Sequence, residues 1–330
     1  MADVELGSTL MDRRSFCTSV GLVLAGTWLA RCAFVTLERG PEPDPSVAEI
    51  ETLMAANLGA LQHNRTDVNG LRMHSLAPLH RGGPHAPAVV LVHGSGLSGR
   101  YMIPTAALLT ADFRVYVPDL PGFGDSDKPD QVFDVPELAD WVAAWMPAIG
   151  LERASLLGNS FGCQVIADLA ARYPERVERA ILQGPTTPPG ERSWFWQFIR
   201  WRQNQRYNPA SLGQVTNDDY RKCGFRRMFR SFQSQITDRI EEKAPRIQAP
   251  VLVVRGEHDP IANQEWCEEI ARLCPRGRLA IIPGVAHTLC YTAPVELARV
   301  TKDFVNNEKM RGPALTASTK TRSDKTDEAT

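Results

Sequence analysis

Six short apolar runs recur along this chain, separated by stretches of helical or turn composition. They are AVVLVH (88–93), FRVYVPDL (113–120), ASLLGNS (154–160), and residues 179–184, 251–256 and 279–283. Their apolar character is continuous rather than alternating, the pattern of strands that helices cover on both faces. Such strands, alternating with helices of ten or more residues, imply right-handed βαβ crossovers and a mostly parallel, doubly wound α/β sheet. Ligands on a sheet of this kind sit at the carboxyl ends of the strands. At 330 residues, 43% hydrophobic and 23% charged, the chain is long enough for one such domain carrying an insertion.

The regularity fails between 186 and 243. There the sequence turns into aromatic and arginine-rich stretches, RSWFWQFIRWRQNQRYNP and then DDYRKCGFRRMFRSFQSQITDRIEEK, predicting an inserted helical lid. The expected organisation is a leader and linker over 1–45, a core over 46–185, the lid over 186–243, the second part of the core over 244–309, and a polar, disordered tail over 310–330. The linker is marked by PEPDP at 41–45, and no internal repeat is visible.

The formal net charge of -1 supplies no global field to draw nucleic acid or an anionic membrane. The leader is the one place where membrane contact is expected. Its stretch MDRRSFCTSVGLVLAGTWLARC sets Arg13-Arg14 ahead of an apolar run, in the manner of a twin-arginine export signal. The run is short for a spanning helix and is interrupted by Gly21, Gly26 and Thr27. Export or anchoring stands beside a cytoplasmic location with an unstructured leader. Seven cysteines, at 17, 32, 163, 223, 267, 274 and 290, show no paired C-x-x-C spacing and read mostly as small buried hydrophobes.

The stretch LLGNSFGCQV (156–165) puts Ser160 between Gly158 and Gly162, where a strand gives way to a helix. On such a turn a nucleophile takes a strained backbone, and side chains two residues before and after it would strike neighbouring backbone. The turn also aims the Phe161 N–H and the positive helix end at a developing oxyanion. A serine hydroxyl needs an imidazole to take its proton and a carboxylate to fix the tautomer of that imidazole. Asp259, in VLVVRGEHDP, and His287, in LAIIPGVAHT, follow later strands in the expected order. Glu257 and His258 compete nearby, but Asp259 stands farther out on the loop. His63, His74, His80 and His85 are expected to be solvated, and His93 to shape a turn. The second oxyanion donor is expected from HGSGLSG (93–99), with the Ser95 N–H as the best candidate and its hydroxyl as an added contact. A phosphate cradle is disfavoured there: no lysine follows in P-loop spacing, and no acidic residue sits where a Rossmann fold holds ribose.

His93-Gly94-Ser95-Gly96, DLPGFGDSDKP (119–129), the 158–162 turn, GEHDP and His287 together resemble the α/β-hydrolase fold over about residues 67–305. The resemblance implies a triad of Ser160, His287 and Asp259, an oxyanion hole from the Ser95 and Phe161 amides, and a helical cap. It implies neither cofactor nor metal. Haloalkane dehalogenases and epoxide hydrolases of this fold carry aspartate as nucleophile, so serine disfavours both activities. HGSG and GNSFG are similar to the carbon–carbon hydrolases acting on meta-cleavage products, which Asn159 suits, though Thr288 stands where those enzymes usually have tryptophan. The expected activity is that of a serine hydrolase on a small, apolar or aromatic carbonyl substrate, most simply a carboxylic ester, with carbon–carbon hydrolysis of a dienoate and a non-catalytic small-ligand receptor as alternatives. From 191 to 243 eleven Lys/Arg stand against six Asp/Glu, interleaved with Trp194, Phe195, Trp196, Phe198 and Trp201. The arginines are expected on the solvated helix faces with the aromatics in the core, ahead of recognition of a substrate carboxylate. The same pattern also suits nucleic-acid or membrane contact, which the hydrolase signature makes secondary.

Overall fold

The computed structural model describes residues 61–79 and 86–306. The leader, the linker, the tail, His80, His85, Cys17 and Cys32 lie outside the described residues. Strands β1 (Leu61–Val68) and β2 (Leu71–Pro78) form an antiparallel hairpin. Its turn is Asn69-Gly70, with φ of 49° and 83°, a pair whose twist matches that of the flanking strands. This hairpin precedes the six expected strands, which appear as β3 (Ala88–Val92), β4 (Arg114–Pro118), β5 (Ala154–Asn159), β6 (Val177–Gln183), β7 (Val251–Gly256) and β8 (Gly277–Ile282). The eight strands make one sheet in the order β1-β2-β4-β3-β5-β6-β7-β8. Pairing is parallel from β4 through β8 and antiparallel only where β2 meets β1 and β4.

Helices cover both faces, which explains the uninterrupted apolar runs. Along β3, Val90 and Val92 face a core built with α2 (Val135–Ala148), α3 (Phe161–Arg172) and α8 (Gln264–Leu273). Val89 and Leu91 face the opposite core, built with α1 (Ile103–Leu109), α9 (Leu289–Thr292) and α10 (Pro294–Asn306). Helix α2 opens on a capping box: Asp134 accepts from the Glu137 N–H while the Glu137 carboxylate accepts from the Asp134 N–H. The five described cysteines are all free and buried, and burial raises their thiol pKa values, to about 11 for Cys223 and about 12 for Cys274.

Between β6 and β7 the chain leaves the sheet for α4 (Trp194–Asn204), α5 (Ala210–Cys223), α6 (Phe225–Thr237) and α7 (Ile240–Lys243). The expectation that the aromatics of this segment fill the core is overturned. Trp194, Phe195, Trp196, Phe198 and Trp201 are all exposed, Phe195 at 66%, because the side of α4 that faces the body carries Gln197 and Asn204 instead.

This cap is tied to α3 by the buried Lys243 ammonium, which bridges Asp168, at 2.8 Å, and Asp238. Burial is the main cause that pushes the Asp238 carboxyl up to about 6, against the opposing pull of Lys243. Its folded pKa thus lies above the ordinary unfolded value of about 3.9. In that window the native state binds more protons than the unfolded state, so stability falls as pH rises from about 4 to about 6, by at most about 3 kcal/mol. Asp238→Asn keeps an acceptor for Lys243 and removes the titration. Thermal melts from pH 4 to 7 should lose that decline in the variant; an undiminished decline would assign it to another group.

Candidate active site

Ser160 follows β5 directly and stands at the N-cap position of α3, without a side-chain capping bond, at φ 57° and ψ -118°. Among the described residues only Asn69 shares a positive φ with it outside glycine. A side chain held there costs on the order of 1–3 kcal/mol, which the surroundings must over-determine. The Ser160 N–H donates to the Gln183 carbonyl at 3.0 Å, and its own carbonyl accepts from the Cys163 N–H at 2.9 Å. The flanking glycines are required by close approach: a Cβ on Gly162 would stand 2.3 Å from the Val92 carbonyl oxygen, and one on Gly158 would stand 2.6 Å from the Gly162 carbonyl. Helix α3 can therefore press against β3 and β5 only without side chains at these two positions.

His287 follows β8, and Asp259 follows β7. The His287 Nδ1 lies 2.8 Å from Asp259 Oδ2, and both side chains are buried. The other carboxylate oxygen accepts from the N–H groups of Ile261, at 2.8 Å, and Ala262, at 3.0 Å. With Asp259 able only to accept, Nδ1 carries the proton and Nε2 presents a lone pair. Nε2 is buried and has no hydrogen-bond partner, Ser160 Oγ included. Of the competitors, Glu257 is exposed and accepts from the Gly284 N–H, while His258 is exposed and stacks on Tyr207.

Around Ser160, a Cβ on Gly94 would lie 3.5 Å from the serine Cβ, which places the 94–96 loop beside it. Leu97 N–H donates back to the Gly94 carbonyl in this loop. The Ser95 hydroxyl, expected to add a substrate contact, lies 2.6 Å from the hydroxyl of Ser231 on α6 instead. His93 shapes its turn from within: Nε2 accepts from the Leu120 N–H at 3.0 Å, so Nδ1 carries the proton toward the Gly94 carbonyl at 2.9 Å. Burial is the largest influence on this imidazole and lowers its pKa.

His74 departs from its expected solvated state. It is buried, with Nδ1 2.7 Å from Asp119 Oδ2 and Nε2 2.8 Å from Nδ1 of the exposed His63. Asp119 also accepts from the N–H groups of Gly99 and Asp125. Burial opposes its charge, but the His74 hydrogen bond and the neighbouring His93 and amides outweigh it and hold the carboxyl below its ordinary range.

Three further residues join the site. The Gly94 N–H donates to the Tyr101 hydroxyl at 2.8 Å, and that hydroxyl donates to Asn159 Oδ1 at 2.5 Å. Asn159 Nδ2 donates to Gln183 Oε1 at 2.6 Å, and Gln183 Nε2 donates to the His287 carbonyl at 2.7 Å. Asn159 Nδ2 also reaches the His287 carbonyl, at 3.4 Å, and every step is buried, so the glycine loop, the serine turn and the histidine loop share one hydrogen-bonded network. Tyr101 and Gln183 stand far apart in sequence and match no motif, so spacing could not single them out.

The profile of the alpha/beta hydrolase family matches residues 89–300, most of the described chain. The chain belongs to that family. Among curated relatives, this hydrolase is 29% identical over 212 residues to a haloalkane dehalogenase of Mycolicibacterium paratuberculosis, covering 62% of its own length and 69% of the relative. It is 27% identical over 240 residues to the carboxylesterase YbfK of Bacillus subtilis, covering 64% and 78% respectively. Among solved structures, a bacterial membrane phospholipase A shares 27% identity with a TM-score of 0.66, over 79% of this chain and 90% of that one. The structure of carboxylesterase CesB (YbfK), at 22% identity and a TM-score of 0.61 over 79% and 99%, shares the fold. The family and its neighbours are hydrolases, and this chain is an enzyme of that kind rather than a receptor built on its fold.

Proposed function

We propose that the chain is a serine hydrolase acting on a carboxylic ester. The observation that carries this reading is the buried His287 ring, whose Nδ1 is held by Asp259 while Nε2 stands bare; a Cβ on Gly184 would lie 2.8 Å from this ring, and Gly184 follows the Gln183 carbonyl that accepts from the Ser160 N–H. An unpaired buried nitrogen is costly in a purely structural role and is what a proton acceptor awaiting its donor requires. In this reading Ser160 Oγ attacks the ester carbonyl as His287 Nε2 takes its proton. The Ser95 and Phe161 N–H groups stabilise the oxyanion, and the imidazolium then protonates the leaving alkoxide. Water, deprotonated by the same imidazole, attacks the acyl-enzyme and releases the acid with Ser160 restored.

Serine at 160 favours this chemistry over dehalogenation despite the similarity to a dehalogenase. The Asn159 amide is spent on Tyr101 and Gln183, so it supplies no argument for carbon–carbon cleavage. A fluorophosphonate probe should label Ser160 alone, as read by peptide mass mapping. A p-nitrophenyl ester panel should turn over while a ring-fission dienoate does not. Labelling elsewhere, or turnover of the dienoate alone, would overturn the assignment.

A further inference from the structure

The two cap helices α4 and α6 are inside out. In α4 the buried residues are Gln197 and Asn204, while five aromatic side chains face outward. In α6 Ser231 and Gln235 are buried with Ile236, while Phe225, 68% exposed, and Phe229 face outward. A helix on a water-facing surface ordinarily shows the reverse distribution. Of the nine large apolar side chains exposed among the described residues, seven belong to this pair of helices. Four rings join across the two helices: Trp194 stacks on Phe229 at 4.6 Å and meets Phe232 at 4.5 Å, with Phe225 6.3 Å from Phe229; Phe198 and Trp201, 5.9 Å apart, form a second pair on α4. A joined aromatic surface of this kind marks a contact site.

The charges around it select the partner. Arg202, Arg226 and Arg230 are exposed on the same two helices; among the described residues none lies within ion-pairing distance of a carboxylate, and Arg226 donates only to the Asp130 main-chain carbonyl, at 3.1 Å. The neighbouring Arg200 and Arg192 are instead neutralised by Glu191 and Glu241. We propose that this face of the cap docks on an anionic lipid surface, the rings entering the headgroup boundary and the three arginines meeting lipid phosphates. The sequence had named membrane contact for this segment only as secondary to the hydrolase signature. No described helix is long and apolar enough to cross a membrane, so the contact is peripheral. A second copy is the poorer occupant, because a two-fold contact through this face would set the unpaired arginines against themselves. The inner sides of the same helices touch the site: Asn204 accepts from the His287 N–H at 3.1 Å, and Ser231 meets Ser95.

The test uses the full chain with vesicles of phosphatidylglycerol and phosphatidylcholine, part of the latter brominated to quench tryptophan. Quenching should appear with these vesicles and fall by more than half in Trp194→Phe/Trp196→Phe/Trp201→Phe, which keeps the rings in place. Arg202→Gln/Arg226→Gln/Arg230→Gln should weaken partitioning about a hundredfold, with turnover of a soluble ester and the melting temperature unchanged. Quenching that survives the tryptophan substitutions would assign binding to the leader and overturn the proposal. So would equal partitioning to pure phosphatidylcholine, or a dimer in solution that dissociates in the arginine variant.

Discussion

Ser160→Ala is expected to lower kcat for a p-nitrophenyl ester by about five orders of magnitude and to abolish fluorophosphonate labelling. The neighbouring hydroxyls are engaged elsewhere: Ser95 with Ser231, Tyr101 with Gly94 and Asn159, while Ser155 lies buried within β5. The methyl group removes the attacking oxygen but keeps the backbone hydrogen bonds of residue 160 to Gln183 and Cys163. The fold should therefore persist, and relief of left-handed serine geometry is not expected, since alanine carries the same Cβ. Residual hydrolysis within tenfold of the parent, in a variant whose melt is unchanged, would move the nucleophile elsewhere.

Asp259→Asn is expected to lower kcat by about 10⁴-fold while stability changes little. The two carboxylate oxygens have unlike partners. Oδ1 accepts from two backbone N–H groups, which cannot reverse, so the amide oxygen of asparagine must take that place. Its NH₂ then faces His287 Nδ1 and can only donate. The imidazole proton is driven to Nε2, which becomes a donor toward Ser160 and can no longer act as base. The two effects are separable from simple loss of packing: the variant should regain little activity at any pH, whereas a merely loosened histidine would recover as the ring is deprotonated. A rate near that of the parent would show that Asp259 does not set the tautomer.

The six mutually parallel strands were legible because helices cover the sheet on both faces, so the sequence records them as largely unbroken apolar runs, even at the half-buried edge strand β8. The β1–β2 hairpin was not anticipated. Gln62 to Arg65 are exposed, and an edge strand with one wet side carries no such run; only Asn69-Gly70 announced it. The start of β6 was read two residues late because Glu178 and Arg179 interrupt its apolar pattern, although Val177 already pairs with Ala154. His74 was assigned to solvent on its position near the leader, whereas the partner that buries it, Asp119, comes 45 residues later. The cap was misjudged in the same way: its composition named the aromatics and arginines but not which side of each helix would meet the body.

What the sequence determined alone was local: the parallel layered sheet, from the periodicity of burial, and the serine turn, from two glycines that no other residue can replace at such close approach. What only the tertiary structure decided was the company each side chain keeps. That Asp259 rather than Glu257 holds His287, that Tyr101, Asn159 and Gln183 form one chain of hydrogen bonds, and that the cap turns its aromatics outward all depend on where distant segments of backbone come to rest. Periodicity reports which face of an element is covered. It carries no information about which residue, dozens of positions away, does the covering.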